Sequence, residues 1–215
     1  MAYAVKLSPG RREFLGFCEH VEDYAAAVDG ETEVFGFTSG DFSIIDVVRA
    51  VVKRMSGPSL VLSTWTAAGA DMQHVYDWLA SGGVSGARWI VDRSFQNRQP
   101  ELCQALRDKF GDAAIRVQRV HCKFVMVADA ERRVLIQTSA NLNRNMRIEN
   151  VSVSPCPVLF DAYSGLVADI FGTQLPGDGF DASENVTASF KAVANRPDKK
   201  KRTIQNPWLA EKRLL

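Results

Sequence analysis

Histidine is scarce in this chain: His20, His74 and His121 are the three among 215 residues. Chemistry that runs through an imidazole therefore has few places to start. Cysteine is nearly as sparse, and Cys18, Cys103, Cys122 and Cys156 form no C-x-x-C pair. That spacing argues against structural zinc and leaves buried thiols of a reducing compartment as the simple reading. No apolar run reaches the roughly 20 residues of a membrane span. The opening MAYAVKLSPGRRE has no long apolar core of the signal-peptide kind. The expectation is a cytoplasmic protein with no membrane partner. Net charge is missing too, at a formal +1, so the whole chain does not declare itself a binder of polyanions.

What is present reads as an ordinary globular domain, 46% hydrophobic and 24% charged. The charge is unevenly spread. From Asp181 onward eight Lys or Arg stand against four Asp or Glu, which leaves the preceding part at minus three. The run Asp198-Lys199-Lys200-Lys201-Arg202 can attract phosphates, meet a protein partner, or serve as a solvated tail. Asn206-Pro207-Trp208-Leu209 adds one aromatic anchor to the same end.

Residues 12–28 carry Phe14, Leu15, Phe17, Cys18, Val21, Tyr24 and Ala25 at helical intervals, with acids between, and predict an amphipathic helix. Its acidic polar face is wrong for anionic lipid. Beyond Asp29-Gly30, strands are predicted at 33–38, 60–65, 87–91, 115–117, 123–127 and 134–137. Helices are predicted at 43–55, 71–80, 100–110 and 158–171, with Pro100 placed at a helix start. Strands alternating with helices give an α/β fold, with a mixed, largely parallel central sheet flanked by helices. The division expected is an N-terminal helical extension over 1–30, a main domain over 31–175 and a basic C-terminal extension over 176–215.

The chemistry concentrates in VHCKFVMVADAERRVLIQTSANLNRNMRIEN, residues 120–150. Side chains two apart on a strand share a face. His121 and Lys123 therefore project together at one strand end, and Ser139 and Asn141 follow the next strand, with Glu149 just beyond. Burying an unpaired ammonium is costly, so Lys123 beside the apolar run Phe124–Val127 points to a cleft where it meets an anion. Alternation sends Cys122 to the opposite face. Ser-Ala-Asn on its own would read as a turn or cap; next to His-x-Lys it reads as part of a phosphate site.

These residues resemble the signature of the phospholipase D superfamily: H-x-K, four residues, D, about six residues, then G-S-x-N. His121-Cys122-Lys123 and Ser139-Ala140-Asn141 match it, over a stretch extending from about Glu31 to Ile170. Ala128 holds the family's Asp position, with Asp129 one residue later. The interval to Ser139 is about three residues longer, and Thr138 stands for the Gly. The resemblance implies that fold and metal-independent covalent catalysis with no cofactor. One His attacks phosphorus and a second His protonates the leaving oxygen. Lys123 and Asn141 would hold the non-bridging oxygens. Glu149 would fix the His121 tautomer, and Ser139 would bind phosphate or orient its neighbours. Neither His20 nor His74 begins an H-x-K, so the second imidazole is expected from another copy in a homodimer.

The function expected is a phosphodiesterase acting on nucleic acid, DNA favoured over RNA, with the nearby Arg144, Arg147, Arg132 and Arg133, and Asn143, along the backbone. A non-catalytic nucleic-acid-binding or assembly module of the same fold, and a phospholipase or phosphatidyl transferase, are the alternatives.

Overall fold

Lys123 to Ala128 forms the strand about which the rest of the sheet is arranged, in a computed structural model that describes residues 10–180 apart from Glu19 and Asn145. The basic segment from Asp181 onward, with Trp208, lies outside the described residues. Eight strands make one sheet: β1 (Arg11–Phe17), β2 (Thr32–Thr38), β3 (Ser59–Thr64), β4 (Gly86–Asp92), β5 (Ile115–Gln118), β6 (Lys123–Ala128), β7 (Arg133–Thr138) and β8 (Glu149–Ser154). Their order is β1-β2-β8-β7-β6-β3-β4-β5. Six strands run one way; β6 and β8 run against them, which makes the four central pairings antiparallel. This is the mixed α/β sheet expected.

The helices are α1 (Ile44–Val52), α2 (Gly69–Ala80), α3 (Phe95–Arg98), α4 (Pro100–Phe110) and α5 (Pro157–Thr173). Helix α1 starts where the sequence says, because Ser43 and Asp46 form a capping box. One sheet face, with Leu62, Val91, Val125, Ile136 and Val153, packs on α1, α2 and α4. The other, with Val61, Ile90, Phe124, Met126 and Leu135, is covered by Phe160 and Val167 of α5. Period-two alternation along β6 and β7 splits their apolar residues between the two cores.

The N-terminal helical extension is corrected. Residues 11–17 are strand β1, parallel to β2, and Val21–Asp29 is a separate 3-10 segment. Phe14, Phe17, Val21 and Tyr24 fit a helical interval by coincidence. Gly16, at φ 64, sits where the β1–β2 register slips, and Phe14 and Phe17 stay exposed on this edge strand, stacked among Phe35 and Phe37. Only Tyr24, Ala25, Ala27 and Val28 of that 3-10 segment turn into the core. The cysteines are likewise only half as expected: Cys18 and Cys103 are buried, Cys156 is intermediate and Cys122 is exposed. No described helix is long and apolar enough to cross a membrane.

Candidate active site

The C-terminal ends of the parallel strands all open on one edge of the sheet, where α/β folds place ligands. The start of β6, the end of β7 and the start of β8 reach that same edge because they pair Lys123 with Thr138 and Thr138 with Val151. Antiparallel pairing thus brings together residues far apart in sequence: His121 and Lys123 before and at β6, Ser139 after β7, and Glu149 opening β8.

Lys123 is 9% exposed, and its Nζ lies 3.1 Å from both ring nitrogens of the exposed His121. Burial pulls the Lys123 pKa below its ordinary value, with Glu149 the largest of the charges that oppose this. The site therefore holds an under-solvated cation, which gains from a bound anion. Ser139 donates its hydroxyl hydrogen to Glu149 Oε2 and accepts the Asn150 N–H at 3.1 Å. Thr138 Oγ1 donates to the Asn150 carbonyl at 2.8 Å. Ser139 is thereby tied to β8, while the Leu142 N–H reaches Thr64 Oγ1 of β3 at 3.3 Å and its carbonyl accepts the Ala68 N–H at 2.7 Å. Between those anchors the chain crosses the end of β6, carrying Asn141 over the His121–Lys123 pair's strand. Asn141 Oδ1 and Asn143 Oδ1 are buried without a partner among the described residues.

Glu149 is engaged by Ser139; no hydrogen bond from His121 to Glu149 is formed among the described residues, and Lys123 is the polar group within hydrogen-bond distance of the ring. Arg144 donates through Nε to the Gly40 carbonyl at 2.9 Å and through Nη2 to that of Asp41 at 3.1 Å, so it pins the β2–α1 loop. Arg147 is exposed. Arg132 and Arg133 lie at the opposite end of β7, bonded to Asp129 and Asp161. Asp129 is there too, one residue past the end of β6, six positions and roughly 20 Å along the chain from Lys123.

Three site neighbours escaped the sequence reading. Asp92 closes β4 and accepts the Val120 N–H at 3.1 Å, holding the segment that leads into His121. Trp65 follows β3 and meets the His121 ring edge-to-face at 6.0 Å between centroids. Arg98 stacks on that Trp65 ring, its Cζ 3.5 Å from the centroid. Trp65 ends one predicted strand and Asp92 directly follows another, at the edge where the motif lies, which was the available signal; Arg98 gave none. No group of three or more His, Cys, Asp or Glu able to hold a metal occurs among the described residues.

The chain matches no protein-family model and no curated protein. Among solved structures it is similar to a phospholipase D family member, Nuc, from Salmonella typhimurium, at 15% identity and TM-score 0.49, over 65% of this chain and 93% of that one. It is also similar to NucT from Helicobacter pylori, at 12% identity and TM-score 0.47, over 66% of this chain and 97% of that one. Phosphatidylserine synthase from Haemophilus influenzae Rd KW20 gives 14%, TM-score 0.46, 75% and 45%. With all three TM-scores below 0.5, the functional reading rests on the residues of the site.

Proposed function

We propose that the chain is a metal-independent phosphodiesterase that cleaves nucleic acid through a phosphohistidine in a homodimer. The observation that carries this is the buried ammonium of Lys123 against the exposed imidazole of His121, at a sheet edge that also holds Ser139, Asn141 and Glu149. A ring nitrogen of His121 attacks phosphorus, and the bond to the leaving oxygen breaks. The partner's His121 gives that oxygen a proton, then takes one from a water that attacks the phosphohistidine and frees His121. Lys123 and the Asn141 amide stabilise the charge gathering on the non-bridging oxygens. Ser139 and Glu149 hold the end of β7 against β8 and so position that amide. Asn143, Arg144 and Arg147 flank the site and are assigned to the nucleic-acid backbone. The basic C-terminal segment is assigned to a protein partner or to the same backbone.

The test is cleavage of single- and double-stranded DNA and RNA oligonucleotides in EDTA. His121→Ala should lower turnover by about 10³-fold or more with an unchanged melting temperature. A denaturing alkaline quench during turnover should trap the labelled nucleotidyl phosphate on His121, since the N–P bond survives in alkali and is lost in acid. Mixing His121→Ala with wild type should yield hybrid dimers lacking activity. A protein that cleaves none of these substrates, or is active as a strict monomer, refutes the reading. Phosphatidylcholine hydrolysis in place of nucleic-acid cleavage would assign the site to lipid.

A further inference from the structure

Arg98 lies beyond the residues that the motif supplies, yet its position continues the same edge. Along that edge stand Glu149 of β8, Ser139 after β7, His121 before β6, Trp65 after β3 and then Arg98 at the end of α3, the short helix after β4. Two contacts fix the interval: Trp65 to His121 at 6.0 Å between ring centroids, and the Arg98 Cζ at 3.5 Å from the Trp65 centroid. Together they hold the guanidinium within about 10 Å of the imidazole.

The guanidinium is also held in place. Its Nη2 donates to the Trp65 carbonyl at 2.7 Å and its Nε to Ser94 Oγ at 3.1 Å, while its plane lies on the indole. Its Nη1 makes no hydrogen bond among the described residues, and the side chain is exposed. The carboxylate that acts on its charge, Asp92, is already shared between Ser94 and the Val120 N–H. Burial against the indole lowers the Arg98 pKa, with Asp92 opposing. A cation already ordered by its stack and its two hydrogen bonds, with donors left on an exposed side chain, binds a phosphate with little further ordering.

We propose that Arg98 is a second phosphate-binding point, taking the phosphate next along a chain from the one held at His121 and Lys123. The site then favours a polynucleotide strand with successive phosphodiesters over an isolated diester. This rests on the nucleic-acid reading above and gives that substrate a direction, along the sheet edge from β6 toward β4.

The test is affinity, because it remains readable whatever the turnover. Dissociation constants are measured for oligothymidylates of two to six nucleotides, by competition against a labelled six-mer, in EDTA and at several salt concentrations, with every protein (wild type at Arg98 or substituted there) carrying His121→Ala so that metal-independent cleavage does not consume the ligand. Wild type should gain about tenfold in affinity when a second internal phosphate is added. Arg98→Gln should lose that step and about 0.7 of the salt slope, the share of one single-strand phosphate. Arg98→Lys, which keeps the charge without the planar stack, should recover the salt slope and only part of the affinity. An unchanged melting temperature excludes a folding effect. A wild-type protein that binds no oligonucleotide overturns both proposals. A wild type with no length step, or an Arg98→Gln that weakens every length alike, overturns the second phosphate point alone. Displacement by tripolyphosphate as effective as by the six-mer overturns the assignment to a nucleotide chain.

Discussion

Replacing Asp129 with Asn separates a stability role from a catalytic one. Burial by itself pushes this carboxyl up, since its side chain is 3% exposed. The N–H groups of Ser56, Glu131 and Arg132, at 3.0, 3.0 and 2.7 Å, and the Arg132 guanidinium at 2.9 Å overcome that and hold it at about 2 instead of 3.8. A drop of that size corresponds to about 2 kcal/mol of stability. The folded pKa is the lower one, so the contribution is full above the unfolded value and disappears as pH falls through the folded value. Asn mimics the protonated acid. Urea unfolding should therefore show Asp129→Asn weaker by about 2 kcal/mol at pH 7, the gap narrowing below about pH 4. Turnover per folded molecule should match wild type, because the residue stands at the far edge of the sheet. A gap under about 0.5 kcal/mol, or one independent of pH, refutes the electrostatic account. Lost turnover in a stable variant refutes the placement.

Lys123→Met should abolish turnover while leaving stability unchanged or raising it by about 1 kcal/mol, since a buried cation is replaced by an apolar stem; a clear loss in urea unfolding would show that the ammonium serves the fold. Ser139→Ala removes the bridge to Glu149 and Asn150, and should lower stability by about 1 kcal/mol and kcat more than KM, measured on one oligonucleotide. Asp71 is 7% exposed and burial, then Asp46, raises its pKa to about 6. Its folded pKa lies above the unfolded one, so the ionised form weakens the protein increasingly from about pH 4 up to pH 6 and fully above. Asp71→Asn should then stabilise by up to about 3 kcal/mol at pH 7 and by little at pH 4, as unfolding at both pH values would report.

Much of the fold was legible because burial is periodic. The predicted helix 100–110 is α4 to the residue, and β6 and β7 fall within one residue of their predicted limits at each end. Two failures have physical causes. Residues 12–28 place apolar groups at intervals that suit a helix, yet the aromatic residues of 11–17 stack across an edge strand, a tertiary effect that no local window contains. Strand β8 was missed although Val151 and Val153 alternate with Asn150 and Ser152, because six residues of half-polar text look like loop until β2 and β7 pair with them. At the site, chemistry was legible and partners were not. The bond from Ser139 to Glu149 depends on the β7–β8 pairing, and the Arg98–Trp65 stack on two segments that follow separate strands.

The departures from the motif's spacing all fall at the far end of the β6–β7 hairpin. Register pairs Lys123 with Thr138 and Ala128 with Arg133, so additional residues between the two halves of the motif collect in the turn at 129–132. Such a turn can lengthen without moving the near end, since the ladder sets where Thr138 lies and Ser139 follows it directly. An Asp there need only close the turn, as Asp129 does with its bonds to Glu131 and Arg132. Thr138 in place of Gly is accommodated by a different device: its hydroxyl joins the Asn150 carbonyl to the Ala140 N–H and bends the chain toward Asn141. Spacing is therefore a weak constraint on this site and strand register a strong one. A single-residue insertion within Lys123–Ala128, not one in the turn, is the change that would separate His121 from Ser139.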